Sequence, residues 1–137
     1  MRLVYALLGA FFAAVTTILV KLGIENVNSN LATAIRTTVV LIVSWGVVFA
    51  ARVHNQIPEV DQRSYIFLIL SGFATGASWL FFNRALQVGQ VSQVAPVDKL
   101  SLVFTIILAA VILQENITLK MVFGVVLIVA GTIVLIK

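Results

Sequence analysis

Cysteine is absent from the 137 residues, so no disulfide, thiolate metal site or cysteine nucleophile can form. Histidine occurs once, at His54, and cannot build a multi-histidine metal centre. Charge is scarce as well: Asp, Glu, Lys and Arg make up 10% of the chain, against about 25% in an average soluble domain. No Walker, Rossmann or HExxH pattern occurs, and no serine stands in a nucleophile-elbow context. These absences argue against an enzyme and leave no catalytic residue, metal ligand or cofactor to assign. The nine Lys and Arg outnumber the five Asp and Glu, yet they stand singly and form no basic patch, which excludes a nucleic-acid partner.

What is present is apolar sequence: 61% of the residues are hydrophobic. A bilayer-crossing helix takes roughly 20 such residues, and the runs are too long and continuous for the alternating ten-residue segments of a membrane barrel. The expectation is an all-α membrane protein with five transmembrane helices, at about residues 3–22, 31–51, 65–86, 91–113 and 119–136. The first run exceeds a signal-peptide core of about 7 to 15 residues and reads as a retained helix. Ser29 and Asn30 are natural N-caps for the second helix. The stretch from Arg52 to Ser64, with His54, Pro58, Glu59, Asp61 and Arg63, reads as a surface loop, because its proline and charges would be costly in hydrocarbon.

Five helices put the two ends of the chain on opposite sides of the membrane. Arg2, Arg52, Arg63 and Lys120 then fall on one side, and Lys21, Arg84 and Lys137 on the other, joined by Arg36 if it snorkels outward. The Lys/Arg bias that ordinarily fixes orientation is nearly absent. Insertion in both orientations and an antiparallel homodimer follow as an expectation, each protomer serving as half of an inverted repeat. The competing reading is a single orientation fixed by small contributions such as the terminal amine.

Small residues recur where helices could approach closely: Gly72 and Gly76 in the third span, Gly124 and Gly131 in the fifth, with Pro96 interrupting the fourth. They are candidate packing positions, within the chain or at a dimer seam.

The charges inside the spans carry the functional signal. Lys21 closes the first helix, Arg36 lies about one and a half turns into the second, Arg84 closes the third, and Asp98 and Lys99 lie about two turns into the fourth, all toward one membrane face. Each such residue costs about 2.5 to 3.5 kcal/mol at a helix centre on insertion scales, so they must pair or line a wet cavity. Asp98 and Lys99 project about 100° apart on a helix and are expected to meet partners on other helices instead of each other. Asp98, Ser101 and Thr105 form one polar stripe beside the donor missing at Pro96, a pattern expected at a transport site. The candidate solute-binding or coupling residues are therefore Lys21, Arg36, Trp79, Asp98, Lys99 and Ser101. The net positive charge of this end favours an anionic or carboxylate-bearing small molecule. The alternative is architectural: Asp98 neutralises Arg36 or Lys21 and holds helices together.

Ala85-Leu86, Val94-Ala95-Pro96, Glu115, Gly124 and Gly131 resemble the pattern of the EamA-type drug/metabolite transporter superfamily over essentially the full length. Within it, Lys21-Leu22-Gly23-Ile24-Glu25, Asn30 to Arg36 and Pro96 to Ser101 look like the half-size, five-helix branch of bacteria and archaea. The sequence departs from the broad pattern at Leu102, where a second proline is common. The resemblance implies one five-helix domain over residues 1–137, half of an inverted-repeat transporter fold, carrying small metabolites or drugs across the cell (cytoplasmic) membrane. A secondary carrier acting as a homodimer by alternating access is the leading reading. An accessory subunit of a hetero-oligomeric transporter and a lipid or lipid-linked-sugar flippase stand beside it.

Overall fold

The computed structural model describes residues 1–136; Lys137, counted above in the charge balance, lies outside the described residues. All regular structure among them is helical: α1 Arg2–Gly23, α2 Ser29–Ala50, a 3-10 helix Val53–Glu59, α3 Gln62–Val88, α4 Val91–Asp98, α5 Ser101–Ile112 and α6 Leu119–Ile136. Five segments are long and apolar enough to cross a membrane, with α4 and α5 forming one of them. The chain divides into two units, Leu19–Gln87 and Met1–Ile18 with Val88–Lys137.

In the Leu19–Gln87 unit, the α1–α2 turn and the C-terminal end of α3 are tied together by side chains. Lys21 Nζ donates to the Leu86 carbonyl at 2.6 Å, and Gln87 Nε2 donates to the carbonyls of Ile24 and Val27 at 3.3 and 2.8 Å. Leu86 is one of the last four residues of α3, whose carbonyls have no partner within the helix, so an ammonium there satisfies an orphan acceptor and complements the helix dipole. α2 starts at Ser29, earlier than the sequence suggested. Its N-cap is Asn28, at φ −56° and ψ 132°, with its side-chain oxygen accepting from Asn30 N at 2.9 Å, and Ser29 and Asn30 are the first helical residues. At the opposite end, Arg52 takes the left-handed conformation (φ 56°) that lets α2 stop, and the Arg52–Ser64 stretch contains the 3-10 helix. His54 packs against Phe49 with ring centroids 5.4 Å apart, and Tyr65 Oη donates to the Ile57 carbonyl at 3.0 Å. α3 begins at Gln62 because Asp61 caps it, accepting from Ser64 N at 3.2 Å.

In the other unit α4 packs on α6. The fourth span is not one continuous helix. Lys99 N and Leu100 N bond back three residues, to the carbonyls of Pro96 and Val97, so a tight turn separates α4 from α5. The interruption lies just past Pro96, whose ring removes a donor from the ladder. Thr132 of α6 steadies it, donating to the Pro96 carbonyl at 3.3 Å. α5 ends before Gln114, a second left-handed residue (φ 54°), after which Glu115 N reaches the Ala109 carbonyl.

The buried residues are few and more polar than apolar. Val20, Ile24 and Leu86 are the buried hydrophobic residues among those described, against Ser29, Thr33, Asn83 and Thr132. Large apolar side chains on every span stay outward, Phe73 and Phe81 at 76% and 78% exposure. Such a distribution suits a bilayer, where lipid tails solvate the apolar exterior and polar contacts hold helices together.

Candidate functional site

α2 and α3 each present a polar line to the other. On α2, Ser29, Thr33 and Arg36 recur at the spacing of one helical face; on α3, Trp79, Asn83 and Gln87 recur every four residues. Between them runs a chain of hydrogen bonds. Thr33 Oγ1 donates to the Ser29 carbonyl at 2.8 Å. With its proton so committed, that hydroxyl accepts from Asn83 Nδ2 at 2.6 Å, and Asn83 Oδ1 accepts from an Arg36 guanidinium nitrogen at 3.2 Å. The guanidinium lies over the Trp79 ring, 4.9 Å from its centroid. This stacking supplies about 0.5 to 2 kcal/mol of electrostatic attraction, and Asn83 adds a charge-assisted bond. Asn83 is fully buried and Arg36 partly so. Beside the network lies a groove of about 330 Å3, lined in part by Thr33, Thr37, Thr38, Gly76 and Leu80. Thr37 and Thr38 turn their hydroxyls back onto their own helix, at 2.8 and 3.0 Å from the Thr33 and Ala34 carbonyls, and offer the groove methyl groups and acceptor lone pairs.

The second constellation sits at the α4–α5 interruption. Lys99 Nζ and Asp98 Oδ2 form an ion pair at 3.2 Å, with side chains 66% and 39% exposed. The expectation that these two residues meet other helices is thereby corrected. The long lysine stem reaches back across the turn, and no bond from either side chain to another helix occurs among the described residues. A groove of about 420 Å3 opens beside the pair, lined by Lys99, Ser101, Leu102, Thr105 and Ile128. Thr105 donates to the Ser101 carbonyl at 2.9 Å, so the stripe read from the sequence is partly knitted to its own backbone.

The profile of the EamA-like transporter family matches residues 1–137. The chain belongs to that family. A protein of Sinorhizobium sp., described as an uncharacterized transporter in the cobO 3' region, is 44% identical over 131 residues, covering 96% of this chain and 93% of that one. No solved structure matches. Membership of the EamA-like family makes this a multi-pass membrane transporter, with a small-molecule solute and a lipid bilayer as its partners, and points to transport over catalysis.

Of the residues singled out from the sequence, Arg36 and Trp79 meet each other, Lys21 reaches the end of α3, and Asp98, Lys99 and Ser101 gather at the α4–α5 turn. Pro96 meets Thr132. An added Cβ at Gly72, Gly76, Gly124 or Gly131 would meet nothing within 4 Å among the described residues, so none of the four is required there by a close contact within its own unit. Sequence reasoning missed Thr33, Asn83, Gln87 and Thr132. The four-residue spacing of Trp79, Asn83 and Gln87 was a signal that could have found two of them, since three hydrogen-bonding side chains on one face of an apolar span need partners.

Proposed function

We propose that this protein is a secondary transporter of small metabolites or drugs that works as an antiparallel homodimer in the cell (cytoplasmic) membrane by alternating access. The observation that carries the reading is the exposed Asp98–Lys99 pair at an interrupted span. In hydrocarbon these groups and the loosened backbone would cost several kcal/mol, so they belong against a water-filled cavity or a second protomer. Lys99, Ser101 and Thr105 border a groove that would form part of such a cavity. The glycine faces, where an added Cβ would meet no described atom within 4 Å, leave room for a second copy, and the near-equal loop charge permits both insertions. Exchange between two symmetry-related states would then open the cavity to either side. The solute is taken to be an anion or carboxylate-bearing molecule.

Because cysteine is absent, topology is directly testable with single cysteines at Asn28 and Asn55. Each is expected to be labelled from both sides of the membrane. Labelling from one side only rejects dual insertion. For the transport step, Asp98→Asn and Lys99→Gln should fold normally in liposomes and lose uptake, whereas full uptake by both removes the pair from the mechanism. Purified homodimer that moves no solute, but gains activity with a second membrane protein, would favour the accessory-subunit reading.

A further inference from the structure

Arg36 is a cation without a counter-ion in its own unit. The acids of Leu19–Gln87 are Glu25, Glu59 and Asp61, and none forms an ion pair with it. Its partners are a neutral amide and an aromatic face. Guanidinium carries five N–H donors in a planar fork. The Asn83 amide occupies one nitrogen, and the remaining donors have no protein acceptor in this unit.

The fork is nevertheless held in place. The Ser29 carbonyl takes the proton of Thr33, the Thr33 oxygen can then only accept, Asn83 must turn its NH2 group to it, and its oxygen must therefore face Arg36. The amide has no freedom to flip without losing two bonds. Trp79, one turn before Asn83 on the same face of α3, fixes the plane of the guanidinium from below. Both Asn83 and Thr33 are buried, so water does not compete for these bonds. A charge whose orientation is fixed before binding recognises its ligand without an ordering cost at that moment.

We propose that Arg36 is the oxyanion-binding group of the carrier, that Asn83 and Thr33 are its positioning residues, and that the ligand is a solute with a single carboxylate. This rests on the transporter reading above. A planar fork matches the two oxygens of a carboxylate, and one uncompensated positive charge matches a monoanion. A phosphate dianion would need a second cation, and the two other spanning cations of this unit hold protein oxygens: Lys21 the Leu86 carbonyl, Arg84 the Gln87 side chain at 2.9 Å.

Trp79 is a built-in reporter. The chain has two tryptophans, so Trp45→Phe leaves Trp79 alone under the guanidinium. That protein, in an uncharged detergent, is titrated with sodium propionate and separately with inorganic phosphate, at constant ionic strength maintained with chloride. Propionate should change Trp79 emission saturably, with phosphate at least about tenfold weaker. Arg36→Gln should abolish the change, and Arg36→Lys, which keeps the charge but not the fork, should weaken it about tenfold. Asn83→Asp places a permanent carboxylate against Arg36 and should also abolish it, with circular dichroism and elution unchanged. Thr33→Val should weaken propionate about five- to tenfold, whereas Thr33→Ser, which keeps the hydroxyl, should stay within about twofold.

No emission change with propionate, or an equal change in Arg36→Gln, overturns the site. Should Arg36→Gln not fold, an undiminished response in Arg36→Lys overturns the fork. Tighter phosphate binding overturns the carboxylate assignment, and a Thr33→Val protein indistinguishable from its parent overturns the positioning role. The two readings fail separately: uptake in liposomes untouched by Arg36→Gln rejects this site and leaves the carrier, while a propionate response in a protein that transports nothing leaves the site and rejects the carrier.

Discussion

The polar residues of the Leu19–Gln87 unit and those around the α4–α5 turn obey opposite rules. In the first, the bonds cross between helices in buried or half-buried surroundings: Thr33 to Asn83, Asn83 to Arg36, Gln87 to the α1–α2 turn. In the second, the charged pair is local, exposed and confined to neighbours in sequence, and a side-chain bond from Thr132 to the Pro96 carbonyl crosses between helices. The physics of a bilayer gives the contrast its meaning. Cross-helix bonds are the glue that a hydrophobic effect cannot supply there, whereas an exposed ion pair at a broken span contributes little to holding helices and needs wet surroundings. One region fixes the geometry of its polar groups, and the other leaves its charges open.

The comparison is broken most directly at Asn83. Asn83→Leu should fold with the greatest loss of stability among the changes considered, about 1 to 3 kcal/mol in a detergent unfolding titration, because it strands both the Thr33 acceptor and an Arg36 donor. Gln87→Leu should follow at about 1 kcal/mol, releasing the carbonyls of Ile24 and Val27. A loss at either site too small to measure would mean that the α2–α3 network is incidental. Thr132→Val tests the other unit with a single neutral bond of 3.3 Å, and its cost should be about 0.6 kcal/mol. If it equals Asn83→Leu, the two regions do not differ in the way argued.

How much of this was legible beforehand depended on whether a signal was local or paired. Five spans were legible because a run of apolar residues of bilayer length has few other uses. Pro96 announced a weakened fourth helix, but the turn falls at Lys99 and Leu100: the donor missing at Pro96 leaves the Ser92 carbonyl, on the other side of the ring, without its helical partner, whereas the Pro96 carbonyl itself is taken by Lys99 N and by Thr132 of α6. Asn28 displaced Ser29 as the cap because capping depends on which one residue takes a non-helical backbone conformation, which neighbouring Ser and Asn obscure in sequence. Arg36 and Trp79 were visible as separate oddities. Their union, and the role of Asn83 between them, required the register of α2 against α3, which no single-helix pattern contains. The Asp98–Lys99 pair was misjudged for a related reason: the 100° rule treats side chains as rigid spokes, and a four-carbon lysine stem at a turn is not one.

At the α4–α5 turn the expected stability effect nearly vanishes. Asp98→Asn should change unfolding by no more than about 0.5 kcal/mol, as for other exposed ion pairs, while its effect on uptake is large. A strongly destabilised Asp98→Asn would make the pair an architectural contact.

The smallest effect is at the solvated end of α3, outside both constellations. Asp61 is exposed, and its bonds to Ser64 hold its carboxyl below the ordinary carboxylate range. A depressed folded-state value means that the cap's contribution is fully present above the unfolded carboxylate value of about 3.9, and is lost as pH falls through the lower folded value. The native protein should therefore show a slight fall in thermal stability across that acid window, and Asp61→Ala should lack this step and begin α3 less firmly at neutral pH. Because Asp61 bonds to Ser64 of its own helix start, propionate binding and uptake should be unchanged in the same variant. An acid step that persists in Asp61→Ala would mean that the Asp61 cap is not its source.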